Sequence, residues 1–249
     1  MKPHTRAALK DFILQFALRK IKPLAGISVE ELRRAFPFHD IFFRDEALIA
    51  FKLQRSIVTS LGRGFYAQVA EIIGKDLYKV VRREHPIVCT LPSAMCDTIE
   101  RIVTELRLRQ RQPAHASELA EVLHTTQGSL RKVPIKADLY LDDGPAGPAF
   151  IELKSPKPNL DVCAESKRKM LYFLAYTNTQ GLQSARAVFA LYYNPYFPKP
   201  YSWTFTRQIL DMSSEVLIGA DFWDFVGGPG TYDELLQILA EVKQGLRHP

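Results

Sequence analysis

The segment 134–159, which reads PIKADLYLDDGPAGPAFIELKSPKPN, is the stretch of the sequence that most constrains the fold. Two short apolar runs flank a turn rich in glycine and proline, a pattern that predicts a β-hairpin. If the turn spans residues 142–148, Leu141 pairs with Ala149, and Asp138 lies opposite Glu152. Strand periodicity then puts Lys154 on the same face as Glu152. The sequence therefore predicts a hairpin that presents two carboxylates and an amine side by side.

These three side chains suggest a metal-dependent site. Adjacent carboxylates repel each other unless a proton or a cation lies between them. Mg²⁺ prefers oxygen ligands, and when bound it polarises phosphate oxygens and lowers the pKa of a coordinated water. We therefore predict Asp138 and Glu152 as Mg²⁺ ligands, the main-chain carbonyl of Leu153 as a further ligand, and Lys154 as a catalytic residue that holds the water. The spacing alone also fits a surface hairpin with a cross-strand charge pair, a contact that contributes less than about 1 kcal/mol.

The rest of the chain divides near Leu130 into a helical first half and a mixed second half. Apolar periodicity predicts a first helix that ends near Pro23 and Gly26, and the capping box Ser28–Glu31 predicts the start of a second. Further predicted helices cover residues 64–81, 93–109 and 117–123. In the second half we expect a helix over 162–176, strands over 187–194 and from 215, and a helix from 231 to about 245.

Composition and charge narrow the functional classes. The 249 residues include 33 Lys and Arg against 27 Asp and Glu, a net charge of +6 that permits a polyanionic partner without requiring one. Three irregularly spaced cysteines form no disulfide framework, which favours a reducing cytoplasm. No apolar stretch is long enough to span a membrane. We therefore expect a cytoplasmic protein without a membrane partner. We expect no organic cofactor either.

The hairpin residues also carry a family resemblance. Asp138, followed by Glu152-Leu153-Lys154 and then by a helix and an apolar strand, resembles the PD-(D/E)XK nuclease superfamily. The stretches RSIVTSLGRGFYAQVAEI, IELKSPKPN and LIGADFWDFVGG are similar to type II restriction endonucleases of the TdeIII/MjaII type, which is associated with GGNCC sites. Ala137 stands where many members carry proline, at a position that varies within the superfamily.

The resemblance implies a fold and an activity. The implied fold is a single α/β domain over residues 1–249. It has a mainly helical N-terminal region (residues 1–130) and a catalytic α/β core (residues 131–249). The core is built on a restriction-endonuclease-like mixed central β-sheet flanked by helices. The activity is Mg²⁺-dependent, sequence-specific hydrolysis of double-stranded DNA by a homodimer in a prokaryotic cytoplasm. Two alternatives remain open: a structure-specific repair or recombination nuclease of the same fold, and a non-catalytic DNA-binding module.

Further site residues are harder to assign from sequence. Many members of the superfamily carry an additional acidic residue on an upstream helix, and Glu71 is the candidate, with Gln68 one turn earlier as the alternative. Asp142 and Asp143 suit the turn better than the site, because Asp-Asp-Gly is turn chemistry. For each basic candidate DNA contact, a solvated surface charge is an equally good explanation, and for Asn159 a role in a turn is. The candidates are Arg107, Arg109, Arg111, Lys132, Lys136, Lys157, Asn159, Lys167 and Arg168.

Overall fold

A five-stranded mixed β-sheet organises residues 1–21 and 28–247, the portion of the chain that the computed structural model describes. Its strands follow chain order across the sheet. The first three strands form antiparallel pairs, and the last two extend the sheet in parallel. Their bounds are β1 Val80–Pro92, β2 Leu130–Asp142, β3 Ala149–Lys154, β4 Arg186–Leu191 and β5 Val216–Ile218. The mixed central sheet predicted from the family resemblance is thereby confirmed.

Helices connect the strands and cover both faces of the sheet. The N-terminal helices are α1 Pro3–Ile21, α2 Val29–Ala35, α3 Pro37–Asp40, α4 Asp45–Ser60 and α5 Tyr66–Gly74, with a π-helical turn, Leu61–Phe65, between the last two. The later helices are α6 Ser93–Arg107, α7 His115–His124, α8 Leu160–Thr179, α9 Thr204–Ile209, α10 Ala220–Gly227 and α11 Thr231–Arg247. The predicted N-cap is confirmed, since the Ser28 hydroxyl accepts a hydrogen bond from the Glu31 amide at 3.4 Å.

The sheet lies between two apolar cores. Phe150 of β3 packs on one face with residues of α6 and α8, such as Ile99 and Phe173. Its neighbour Ile151 packs on the other face with residues of α1, α5, α10 and α11, such as Trp223. Alternating side chains of β3 thus enter opposite cores, as strand geometry requires. Glu152 and Lys154 share the face opposite Ile151, as strand periodicity predicts, and α8 covers that face as well.

The main error of the sequence-based prediction is β1. The periodicity assigns residues 80 and 81 to the end of a helix and indicates no strand within Val80–Pro92; yet β1 pairs with β2 along almost its whole length. The mainly helical N-terminal region therefore contributes an edge strand to the central sheet. The predicted end of the first helix near Pro23 and Gly26 lies outside the described residues.

Cys89, Cys96 and Cys163 are buried free thiols. Within residues 1–21 and 28–247, no helix combines the length and the apolar character that crossing a membrane requires.

Candidate active site

The hairpin register matches the prediction. Leu141 pairs with Ala149, and Leu139 pairs with Ile151, which puts Asp138 next to Glu152 across the two strands. The turn is fixed by close packing, because a Cβ atom on Gly144 would lie 2.4 Å from the ring of Tyr78. Asp142 serves the turn, as predicted, by accepting a hydrogen bond from the Asp143 amide at 2.7 Å.

Asp138, Glu152 and Lys154 come together at the end of this hairpin. The Lys154 ammonium lies 2.6 Å from Asp138 Oδ2 and 2.9 Å from Glu152 Oε2, so it bridges the two carboxylates. Asp138 Oδ2 also accepts the main-chain N–H of Leu153 at 2.8 Å. A positive charge therefore already lies between the two acidic groups, as their mutual repulsion demands.

Glu152 is the most enclosed member of the cluster, with 0% of its surface exposed. Two residues of α8 help to hold it: Ser166 Oγ donates to Oε2 at 3.1 Å, and Lys169 Nζ lies 3.1 Å from Oε1. Two lysines thus balance two carboxylates. Burial alone would lower the pKa of Lys154, but Glu152 and Asp138 outweigh it and raise that pKa above its ordinary value.

A cavity of about 630 Å³ opens beside Asp138 and Lys154. Its walls include Tyr192, which is stacked on Tyr66 of α5 with ring centroids 3.6 Å apart. Gly62 and Gly64 of the π-helical turn form another section of the wall, and a Cβ atom on either glycine would meet nothing within 4 Å. This wall therefore lets a bound molecule approach the backbone closely.

The donor set fits a hard divalent cation. Asp138 and Glu152 supply carboxylate oxygens from adjacent strands, and the place between them is already one that attracts a cation. Among the described residues, no three His, Cys, Asp or Glu side chains are close enough to hold a metal by themselves. A bound ion would therefore complete its shell with main-chain, water or phosphate oxygens, a pattern that Mg²⁺ tolerates well.

The structure does not bring Glu71 to this cluster. Its carboxylate pairs with Lys75 at 3.2 Å and Arg83 at 2.5 Å. Partial burial opposes ionisation, but the hydrogen bonds from these two cations keep the pKa of Glu71 below its ordinary value. The α5 residue in the cavity wall is Ala67, rather than Gln68 or Glu71. The predicted role of an upstream helix carboxylate therefore has no geometric support here.

The acidic residue that does line the cavity with Asp138 is Glu84 of β1. It has a left-handed backbone conformation, with φ of 50°, which is uncommon for a residue other than glycine. Its carboxylate is ion-paired with Lys136. Sequence reasoning missed Glu84 because it missed β1 itself. A positive φ next to a cavity leaves no signal in sequence when the residue is glutamate.

Of the three consecutive basic residues 167–169 on α8, only Lys169 contacts Glu152. Lys167, predicted to contact DNA, is 0% exposed and is ion-paired with Glu118 and Glu215. That prediction is corrected, because a buried ion pair cannot reach a phosphate. Arg168 pairs on the surface with Glu100 and Glu165.

The other candidate DNA contacts lie on or near the surface in varied settings. Arg107 pairs with Asp161 at 2.6 Å, and Lys136 pairs with Glu84. Lys132 is exposed on β2. Arg109 and Arg111 line an open pocket of about 350 Å³ together with Arg207. These residues therefore remain candidates for phosphate contacts.

Two candidate DNA contacts follow β3 directly in the chain. Lys157 lies over the rings of Tyr196 and Trp203, with its amine 4.9 and 5.6 Å from their centroids. Asn159 caps α8, since its side chain accepts the Val162 amide at 2.8 Å. This contact supports the turn role that the sequence left open for Asn159.

Comparisons with known proteins identify the family of the chain. Residues 1–243 match the family described as "Type II restriction endonuclease, HinfI". The chain is 31% identical to the type II restriction enzyme HgiCII of Herpetosiphon aurantiacus over 258 aligned positions, covering 96% of this chain and 94% of the relative. It is 27% identical to HgiBI of the same organism, covering 96% and 93%.

A more distant relative extends the comparison to Methanocaldococcus jannaschii. The type II restriction enzyme MjaII of that organism is 25% identical, with 94% of this chain and 70% of the relative covered. No solved structure matches the chain significantly. The resemblance to type II restriction endonucleases is confirmed, and the chain belongs to the HinfI family of these enzymes.

Proposed function

We propose that this protein is a Mg²⁺-dependent endonuclease of the PD-(D/E)XK type that hydrolyses phosphodiester bonds in double-stranded DNA at a specific sequence. The observation that carries the proposal is the contact of Asp138, Glu152 and Lys154 beside an open cavity. Family membership supplies the class of reaction, a DNA-cleaving hydrolysis, and this cluster supplies the groups that such a reaction needs.

Asp138 and Glu152 would hold the metal, with the Leu153 carbonyl as a further ligand. When bound there, Mg²⁺ would polarise a phosphate oxygen and lower the pKa of a water molecule. Lys154, 19% exposed and next to the cavity, would orient the attacking water and stabilise the negative charge that develops on the phosphate. Gly62 and Gly64, which line the cavity without side chains, would let the DNA backbone approach Lys154.

A single isosteric change tests the proposal. Asp138→Asn keeps the shape of the side chain but removes the charge that would bind the metal, so we expect cleavage of plasmid DNA in Mg²⁺ to fall at least ~100-fold, as when a catalytic electrostatic group is lost. The control is Asp142→Asn on the same strand, which changes the charge equally but lies in the turn. Failure of the wild type to give discrete fragments, or equal cutting by Asp138→Asn, would refute the proposal.

The recognition sequence and the assembly complete the proposal. A GGNCC-like site rests on the similarity to the TdeIII/MjaII type. A homodimer follows from symmetry, because a site with two-fold symmetry is matched by two identical protomers, each cutting one strand. Sequencing the ends of the cleavage products identifies the site directly, and fragments that end at unrelated sequences would contradict the proposed specificity.

A further inference from the structure

Lys169 is a charged residue at the site with no assigned role in the reaction. It lies on α8, and its ammonium contacts both oxygens of Glu152, at 3.1 Å to Oε1 and 3.3 Å to Oε2. It is also 3.5 Å from the main-chain carbonyl of Lys136. Its side chain is 21% exposed and lines an open cavity of about 530 Å³ that also borders Lys136 and Arg168. Lys169 therefore joins the enclosed Glu152 to the protein surface.

The two oxygens of Glu152 are occupied differently. Oε2 receives Lys154, Ser166 and Lys169, at 2.9, 3.1 and 3.3 Å. Among the described residues, the contact recorded for Oε1 is Lys169 alone. A metal that uses Oε1 therefore competes for that oxygen with Lys169, and not with Lys154 or Ser166, which contact Oε2.

Charge balance points the same way. Asp138 and Glu152 carry two negative charges, and Lys154 and Lys169 carry two positive charges. A divalent cation added to this neutral and partly enclosed cluster leaves an excess of two positive charges, which is unfavourable where the effective dielectric constant is low. An ammonium that leaves Glu152 removes some of this excess, and DNA phosphates are the anions that would receive it.

We propose that Lys169 is an exchangeable counter-ion, which neutralises Glu152 in the metal-free enzyme and transfers to a DNA phosphate when the metal binds. The inference rests on the proposed function, since it assumes that Asp138 and Glu152 hold the metal. Its consequence is that metal and DNA bind cooperatively. The metal releases the lysine for DNA, and by thermodynamic reciprocity DNA strengthens metal binding by the same factor.

The test measures binding rather than cleavage. Calorimetric titration with Ca²⁺, which shares the oxygen preference of Mg²⁺, gives metal affinity without DNA. We expect Lys169→Met to bind Ca²⁺ about tenfold more tightly than the wild type, an effect of the size expected when one competing charge is removed. We also expect the gain in duplex-DNA affinity on adding Ca²⁺, measured by fluorescence anisotropy, to fall by about the same factor.

Two further variants sharpen the result. Arg168→Met is the matched control: it removes a positive charge from the adjacent position of α8, but one that pairs with Glu100 and Glu165. It should leave Ca²⁺ affinity unchanged. Lys169→Gln tests the same exchange with a polar side chain, and circular dichroism checks that each variant is folded. The proposal is overturned if folded Lys169→Met and Lys169→Gln bind Ca²⁺ no more tightly than the wild type does.

The test also separates this inference from the proposed function. If the wild type binds Ca²⁺ in a way that Asp138→Asn abolishes, and Lys169→Met binds it more tightly, the exchange stands even if no DNA is cut. If DNA is cut at discrete sites while Lys169→Met shows unchanged Ca²⁺ affinity, the proposed function stands and the exchange fails.

Discussion

At the scale of single residues, two carboxylates of similar chemistry occupy different environments. Asp138 borders the open cavity, whereas Glu152 is fully buried and is held by Lys154, Ser166 and Lys169. Removing one partner of a buried ion pair is costly, because the remaining charges keep their loss of hydration without compensation. Glu152 should therefore serve stability as well as chemistry.

This difference predicts that Glu152→Gln lowers the free energy of unfolding by about 3 kcal/mol, since it leaves two lysines facing one carboxylate. Urea unfolding at neutral pH measures the effect. Glu165→Gln is the control on the adjacent helix α8, because its pair with Arg168 is on the surface and should contribute less than about 1 kcal/mol. Equal stability of Glu152→Gln and the wild type would show that the contacts to Glu152 are energetically neutral.

At the scale of elements, the sequence predicts the hairpin well and β1 poorly. The β2–β3 register follows from local turn chemistry around Gly144. β1 is an edge strand, and such strands carry the charges and the proline that protect a sheet edge from wrong pairing, here Arg82, Arg83, Glu84 and Pro86. These residues conceal the alternation by which a strand is recognised. On α8, charge alone does not distinguish Lys167 from Lys169. Only packing decides that the Lys169 side chain reaches Glu152 of β3.

The buried pairs of Lys167 join α7, α8 and β5. Glu215 lies next to β5 and contacts Lys167 at 2.5 Å and His115 Nδ1 at 3.1 Å, and it accepts the Asp211 amide. Burial by itself raises the pKa of Glu215, but Lys167 and these hydrogen bonds hold it below its ordinary value of 4.5. The stability that this carboxylate contributes is therefore present above the unfolded-state pKa and is lost as the pH falls through the folded-state value.

The expected outcome is that Glu215→Gln is less stable at neutral pH by about 3 kcal/mol, but loses less further stability than the wild type between about pH 5 and pH 3. Urea unfolding at a series of pH values measures both effects. Asp97→Asn, which removes an exposed partner of Arg131, should leave the pH dependence nearly unchanged. If Glu215→Gln loses as much stability as the wild type when the pH falls, other groups are responsible for the acid sensitivity.

At the scale of the whole molecule, one chain presents one complete cluster of Asp138, Glu152 and Lys154. If the active enzyme is a homodimer, cutting both strands of a site requires two such clusters. The sequence supports this assembly only through family resemblance, because the composition of a surface does not identify which of its patches meets a second copy.

Mixed dimers test the assembly. Wild type combined with an excess of Asp138→Asn should convert supercoiled plasmid mainly to the nicked circular form, because each mixed dimer has one working site. Gel electrophoresis separates the nicked and linear products. Wild type mixed with Asp142→Asn should still give linear product. Linear product in undiminished proportion from the first mixture would argue that a single chain cuts both strands.

The residues of the cluster lie close to one another in the sequence, and this affects how such proteins can diversify. Asp138, Glu152, Lys154, Ser166 and Lys169 all fall within residues 138–169, so one hairpin and the first half of α8 carry the proposed reaction centre. The residues that read a DNA sequence can lie elsewhere in the chain. Insertions or replacements in those other segments can therefore create new sequence preferences while the hydrolytic unit is inherited intact.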